Sequence, residues 1–304
     1  MTALDFLAFS APPLLIALLA ALACALPGNF LLLRRQALLG DAISHVVLPG
    51  IVAGFLLSGG ASPAAMTAGA AGAGLAAAAL IEGLQRATRM DPGTAMGATF
   101  TAMFALGVVG LEVSGAARVH LDVDHALYGN LESLIWFEAT DWSALTDPAA
   151  LAALPPELFR MAATLAGLAG LTWLFWRPLV ILTFDEGFAR SLGLPVRALS
   201  AGIIAAATLA AVAAFAAVGS ILTIAMLICP AAAARLCTDR LGRQVALSLV
   251  FAASAAILGT LLGGYGPLWL GLPASVSAAG MIATLSGLIL AAAALFGPHA
   301  PPRR

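Results

Sequence analysis

Apolar residues in this chain come in long runs that recur every twenty to thirty positions, separated by short polar breaks. The runs fall near residues 10–33, 41–58, 63–85, 93–111, 160–178, 198–217, 219–236, 245–263 and 274–296. Each is close to the roughly 20 residues that a helix needs to cross the hydrocarbon of a bilayer. The pattern predicts an all-α, polytopic transmembrane bundle. It has nine spanning helices, or eight if one segment is re-entrant or the 198–236 stretch is broken differently. The first run, Ser10 to Leu33, lacks a basic leading region and is too long for a signal peptide's apolar stretch, so it is expected to be a retained helix.

Composition supports the membrane as solvent. Hydrophobic residues make up 62% of the chain and charged ones 10%, where soluble domains carry about 25% charged residues. Without a long polar insertion, the chain is expected to form one integral-membrane domain over residues 1–304. Small residues such as Gly69, Gly72 and Gly74 are expected where helices touch, because close backbone approach drives packing in lipid. Cys24, Cys229 and Cys237 lie in or beside apolar runs without CxxC spacing and read as small core residues.

Charge adds orientation and excludes an engine. Every basic residue is arginine, and no lysine occurs. A P-loop places a lysine on the nucleotide phosphates, so if ATP drives this protein another chain hydrolyses it; the chain is read as a transport protein and not an enzyme. Cytoplasmic loops retain basic residues. With the N-terminus outside, Arg34, Arg35, Arg86, Arg89, Arg177, Arg190, Arg197, Arg235, Arg240, Arg243, Arg303 and Arg304 fall inside, and only Arg118 and Arg160 fall outside. The same topology puts Asp5, Glu112, Asp122, Asp124, Glu132, Glu138, Asp141, Asp147 and Glu157 on the outer side, which argues for N-out and C-in. Two connections exceed turns: an outer stretch at 112–158 and an inner one at 178–197.

Chemistry is sought in those connections and at polar residues within the membrane. Asp41 and His45, four apart at the head of an apolar helix, share a face. A carboxylate oxygen and an imidazole nitrogen on one face make half of a site for a divalent cation, with Ser44 adjacent. The alternative is that Asp41 caps the helix and His45 packs against a neighbour, although His45 cannot be explained as a cap. In the outer stretch, His120, Asp122, Asp124 and His125 concentrate oxygen and nitrogen donors. A solvated acidic rim that raises the local cation concentration explains them better than a defined coordination site. On the inner side, Phe184-Asp185-Glu186 through Arg190 to Leu192-Gly193 reads as a short helix, with acids at its start and Gly193 and Pro195 at its stop. It suits docking of a cytoplasmic protein better than lying on anionic lipid. Pro230, late in a spanning segment, predicts a kink suited to a gate.

In this order these pieces resemble the membrane permease family of bacterial ABC importers for manganese, zinc and iron. The run from Arg34-Arg35 through Gly40-Asp41-Ala42-Ile43-Ser44-His45 to Leu48-Pro49-Gly50 is similar to that family's most distinctive motif. Phe184-Asp185-Glu186 with Ala189 and Leu192-Gly193-Leu194-Pro195 resembles its coupling helix, Leu127-Tyr128-Gly129-Asn130 its outer Leu-Phe-Gly segment, and Ile228-Cys229-Pro230-Ala231-Ala232 its proline-centred helix. Ala233 stands where that family often has threonine, and Tyr128 where phenylalanine is usual. The resemblance implies a bundle like the type II ABC importer permeases, in a bacterial inner (plasma) membrane. It also implies a second permease copy, a cytoplasmic pair of ATP-binding-cassette ATPase subunits, and an extracytoplasmic metal-binding protein. Asp41 and His45 would contribute to the path of a transported zinc or manganese ion, with iron as a third candidate. Phe184, Asp185, Glu186, Arg190, Leu192 and Gly193 would receive the ATPase. No permanently bound cofactor and no nucleic-acid partner is expected. Two other readings compete: a permease for siderophores or cobalamin, and a secondary carrier driven by an ion gradient, for which no internal duplication is found.

Overall fold

The computed structural model describes residues 3–37, 39–60, 62–88, 90–113, 131–139, 141–269, 271 and 276–299, apart from the side chains of Ser44, Pro63, Arg86 and Pro92. All regular structure among them is helical. In chain order the helices are α1 (Ala3–Phe9), α2 (Ala11–Leu33), α3 (Leu39–Ser58), α4 (Pro63–Thr88), α5 (Pro92–Val113), α6 (Pro148–Ala152), α7 (Pro156–Leu174), α8 (Trp176–Phe184), α9 (Glu186–Ser191), α10 (Val196–Val218), α11 (Ser220–Cys237), α12 (Leu241–Trp269) and α13 (Ala278–Phe296). Single 3₁₀ turns cover Leu131–Ser133 and Trp142–Leu145.

Eight of these helices, α2 to α5 and α10 to α13, are each long and apolar enough to cross a membrane. They match eight of the nine apolar runs. The ninth run becomes α7 and α8, which pass the same test only together and meet at a 73° bend. Pro178 explains the break: it has no N–H for the carbonyl of Leu174, and its ring crowds that carbonyl. In the first turn of a new helix the missing N–H costs nothing.

Helix starts are legible in the same terms. Asp91 accepts from the Thr94 amide at 3.0 Å, immediately before Pro92 opens α5. Asp147 accepts from the Ala149 amide at 3.0 Å ahead of Pro148. Both pair an N-cap carboxylate with a proline at the first helical position. Inside α12, Pro267 frees the carbonyl of Gly263, and the Val276 amide takes it at 3.1 Å. A carbonyl that hydrocarbon could not satisfy is thereby paired.

The described residues form two compact units. One draws on Met1–Leu26, Asp124–Ala169 and Ala213–Arg304, the other on Pro27–Val123 and Gly170–Val212. In the first, α11, α12 and α13 pack on one another. Gly259 lets the backbone of Ile282 approach, and Gly263 that of Ala278, so tightly that a methyl group at either would collide. Part of the long outer connection folds here as well. Trp136 is buried with Ala8, Ala139, Ala144 and Ala150, its indole donating to the Ala150 carbonyl at 2.8 Å. The Glu132 carboxylate accepts from the Ala278 amide at 2.7 Å, opposite the positive end of α13.

In the second unit, α3 packs on α4 and α5. A Cβ on Gly50 would overlap the carbonyl of Gly69, and one on Gly69 would overlap the carbonyl of Gly50. Gly74 faces the Thr208 side chain of α10 in the same way. Gly72 departs from the expectation, as nothing among the described residues lies within 4 Å of where its Cβ would stand. Gly72 lies on the exposed side of α4, whereas Gly74, two residues on, is buried.

Candidate functional site

The second unit holds both inner-side features that the sequence singled out. The end of α2 is closed by a Schellman turn, in which the Arg35 amide donates to the Leu32 carbonyl at 3.0 Å and the Gln36 amide to that of Leu31 at 2.8 Å. The left-handed position that such a turn requires is filled by Arg35, with φ of +58°. The Leu39 amide then bonds the Gln36 carbonyl at 3.0 Å and α3 begins. Asp41 therefore lies in the first turn of α3 and His45 one turn above it.

Their side chains meet on one face: His45 Nε2 is 3.7 Å from Asp41 Oδ1, with the two side chains 45% and 47% exposed. That separation is too long for a hydrogen bond. The imidazole is clasped by α5. It stacks on Phe100 at 5.2 Å between centroids and meets the edge of Phe104 at 5.9 Å. Ser44 lies on α3 between the pair in sequence. Pro49 follows inside the same helix, and its missing N–H deprives the His45 carbonyl of its helical partner. The pair thus stands just below a built-in weak point of α3. Gly107 of α5 packs directly against the Pro49 ring.

The predicted inner helix is α9. Asp185 caps it, accepting from the Phe188 amide at 2.8 Å, and Arg190 pairs with Glu186 at 2.7 Å. Its end is a second Schellman turn. The Gly193 amide donates to the Arg190 carbonyl at 3.0 Å and that of Leu194 to Ala189 at 3.1 Å, with Gly193 at φ +72°. Pro195 then excludes further helix. Phe184, Phe188 and Leu192, spaced four apart, are 58%, 52% and 52% exposed, while Ala189 behind them is buried. Phe184 at the end of α8, Phe188 on α9 and Leu192 just past it thus form an exposed row of large apolar side chains, the kind of patch that marks interaction sites.

Behind α9 lies a polar cavity of about 520 Å³, lined among others by Arg34, Gln36, Glu82, Glu186, Arg197 and Ser200. Burial pushes the Arg34 guanidinium below its ordinary pKa, while the charges of Glu186 and Glu82 pull it back up.

His120, Asp122, Asp124 and His125 lie outside the described residues. Among the described residues no three His, Cys, Asp or Glu side chains gather where they could hold a metal ion, and Cys24, Cys229 and Cys237 are free thiols. Phe100, Phe104 and Phe188 were not singled out by sequence reasoning. Their signal was the i, i+4 spacing of aromatic residues, which in a chain this apolar is indistinguishable from packing.

The profile of the ABC 3 transport family matches residues 7–138 and 149–296. The manganese transport system membrane protein MntD of Bacillus subtilis is 36% identical over 280 residues, covering 92% of this chain and 89% of that protein. The zinc transport system membrane protein TroD of Treponema pallidum is 38% identical over 291 residues, covering 95% of this chain and 75% of its own length. Among solved structures, PsaBC from Streptococcus pneumoniae in complex with Fab superposes with a TM-score of 0.74 at 29% identity, over 97% of this chain and 95% of that one. A chain with eight helices long and apolar enough to cross a membrane, matched nearly end to end by such transport proteins, is a multi-pass membrane transport subunit and not an enzyme: it belongs to the ABC 3 transport family.

Proposed function

We propose that this chain is the permease subunit of an ATP-driven importer of divalent metal ions, zinc or manganese, with Asp41 and His45 as ligands on the transport path. The observation that carries this reading is the pair itself. It places a carboxylate and an imidazole on one face, 3.7 Å apart and half exposed, on a helix otherwise apolar. Two donors each about 2.1 Å from a tetrahedral cation stand about 3.4 Å apart, so a small side-chain rotation closes this pair on an ion. Oxygen with imidazole nitrogen suits zinc and manganese alike. The relatives named for manganese and for zinc transport support the same cargo class.

Two ligands leave a cation half coordinated, and an ionisable pair left facing lipid is costly. A second copy of the chain, meeting the first along the face of α3 and α5 that bears His45, supplies further donors and removes the pair from lipid. The exposed row Phe184, Phe188 and Leu192, flanked by Asp185, Glu186, Arg190 and Gly193, receives the cytoplasmic ATPase within an inner connection at 178–197. The outer stretch at 112–158, with His120, Asp122, Asp124 and His125 as an acidic rim, receives the extracytoplasmic metal-binding protein. The whole of residues 1–304 is one permease domain of a bacterial plasma membrane, N-terminus outside and C-terminus in the cytoplasm.

Replacing Asp41 and His45 together with alanine tests the site. Uptake of radiolabelled metal into proteoliposomes is expected to fall to background while the ATPase still binds. Metal uptake at the normal rate in that variant would sink the assignment.

A further inference from the structure

Arg34 lines one polar cavity together with Leu39 at the head of α3 and Glu186 and Arg190 of α9. Its Nη2 donates to the Ser200 hydroxyl at 2.7 Å, in the first turns of α10. It lines the same polar cavity as Glu186 of α9 and Glu82 of α4, and both carboxylates act on its charge. It also lies in the Schellman turn that ends α2, seven positions ahead of Asp41; the Arg35 and Gln36 amides bond back into α2, and the Gln36 carbonyl accepts from the Leu39 amide at the head of α3. Two buried polar atoms in this turn, Arg34 Nε and Gln36 Oε1, have no hydrogen-bonding partner among the described residues. Such atoms are expensive to leave unpaired, and Arg35 beside them holds a left-handed conformation that costs a non-glycine residue energy. Unpaired polar groups and backbone strain gathered in one turn mark an arrangement with another state available to it.

We propose that Arg34 is a positioning residue that carries movement of α9 to the head of α3, and so to Asp41 and His45. In the arrangement described here it holds Ser200. A shift of α9 that brings Glu186 toward the cavity gives the Nε proton of Arg34 a carboxylate acceptor, pulls the 34–36 turn, and with it the first turn of α3 below the Pro49 break. The inference rests on the reading of α9 as the ATPase-docking element.

The test uses the full permease with its ATPase in proteoliposomes, reading three quantities: ATPase binding, ATP hydrolysed, and metal moved per ATP. Arg34→Ala is expected to bind the ATPase as wild type does and to lower metal moved per ATP at least about fivefold, the lower range of site-to-site coupling. Arg34→Lys, which keeps the charge without the guanidinium fork, recovers part of the ratio. Ser200→Ala lowers it on its own, and the double variant is no worse than Arg34→Ala, because the two act as one unit. An unchanged ratio in Arg34→Ala overturns the proposal, as does loss of ATPase binding in step with transport. Should Arg34→Ala fail to assemble, Ser200→Ala decides, a wild-type ratio overturning the proposal and a lowered one supporting it. Phe188→Ala keeps the two readings apart. If it leaves ATPase binding unchanged, the docking assignment fails whatever Arg34 does.

Discussion

His45 is held in place by rings. Phe100 and Phe104, one turn apart on α5, contact its imidazole face to face and edge to face, which fixes the plane of the ring and aims Nε2 toward Asp41. A ligand whose orientation is set before the ion arrives loses less entropy on binding it, which is the general advantage of preorganisation. Aromatic contacts of this kind are worth about 0.5–1.5 kcal/mol each, so Phe100→Ala is expected to raise the KM for metal uptake about two- to tenfold, with little change in maximal rate. Phe100→Leu, equally apolar but without a ring face, should fall between. Concentration-dependent uptake of radiolabelled metal checks this, and an unchanged KM in Phe100→Ala would remove the rings from the account. At this scale the pairing of Asp41 with His45 on one face was legible in the sequence, and the rings that hold His45 were not. Asp41 and His45 stand out because ionisable groups are scarce in the spans, whereas Phe100 and Phe104 are lost among apolar neighbours that pack against lipid.

The seam between α3 and α4 shows what glycine does in this fold. Gly50 and Gly69 bring the two backbones so close that either Cβ would overlap the other's carbonyl, and Gly54 packs on the backbone of Ala65 and Met66. In lipid, where apolar side chains gain nothing by hiding from water, such contact and its dispersion are what hold helices together. Gly50→Ala should destabilise the protein by about 1–3 kcal/mol, the usual cost of overpacking. Gly72→Ala, at a position that nothing among the described residues approaches, should be neutral or slightly stabilising through its helix propensity. Thermal unfolding of the two variants in detergent makes the comparison, and equal midpoints would refute it. Segments of the right length and place were readable from apolar runs because a spanning helix must satisfy its own backbone and so needs only length and hydropathy. Which glycines face a neighbour was not, since Gly69, Gly72 and Gly74 are alike in sequence and only the angular position of each, set by partners far away in the chain, separates them. The bend between α7 and α8 was half visible: Arg177 and Pro178 end the apolar run where α8 begins, but nothing in the sequence shows that the apolar stretch Leu179–Leu182 after them continues as helix.

Across the whole molecule, the arginines favour one use of that bent pair. Eight single helices and one bent pair are long and apolar enough to span. If the pair crosses, there are nine crossings, and Arg34, Arg35, Arg190, Arg197, Arg235, Arg240 and Arg243 all fall on one side of the membrane. If it turns back, every basic residue from Arg190 onward moves to the side opposite Arg34 and Arg35, against the strong preference of basic residues for the cytoplasmic side. A crossing is also what the proposed docking role requires, since an ATPase would reach Phe184, Phe188 and Leu192 only from the cytoplasm. The consequence is testable in a variant whose three cysteines, Cys24, Cys229 and Cys237, are replaced. Glu138→Cys, before the bent pair, should react with a membrane-impermeant maleimide in intact spheroplasts. Ser191→Cys, after it, should react only once the membrane is opened, and Arg240→Cys should behave like Ser191→Cys. Labelling of Glu138→Cys and Ser191→Cys from the same side would mean that the pair is re-entrant, and would separate the row on α9 from the ATPase it is assigned to receive.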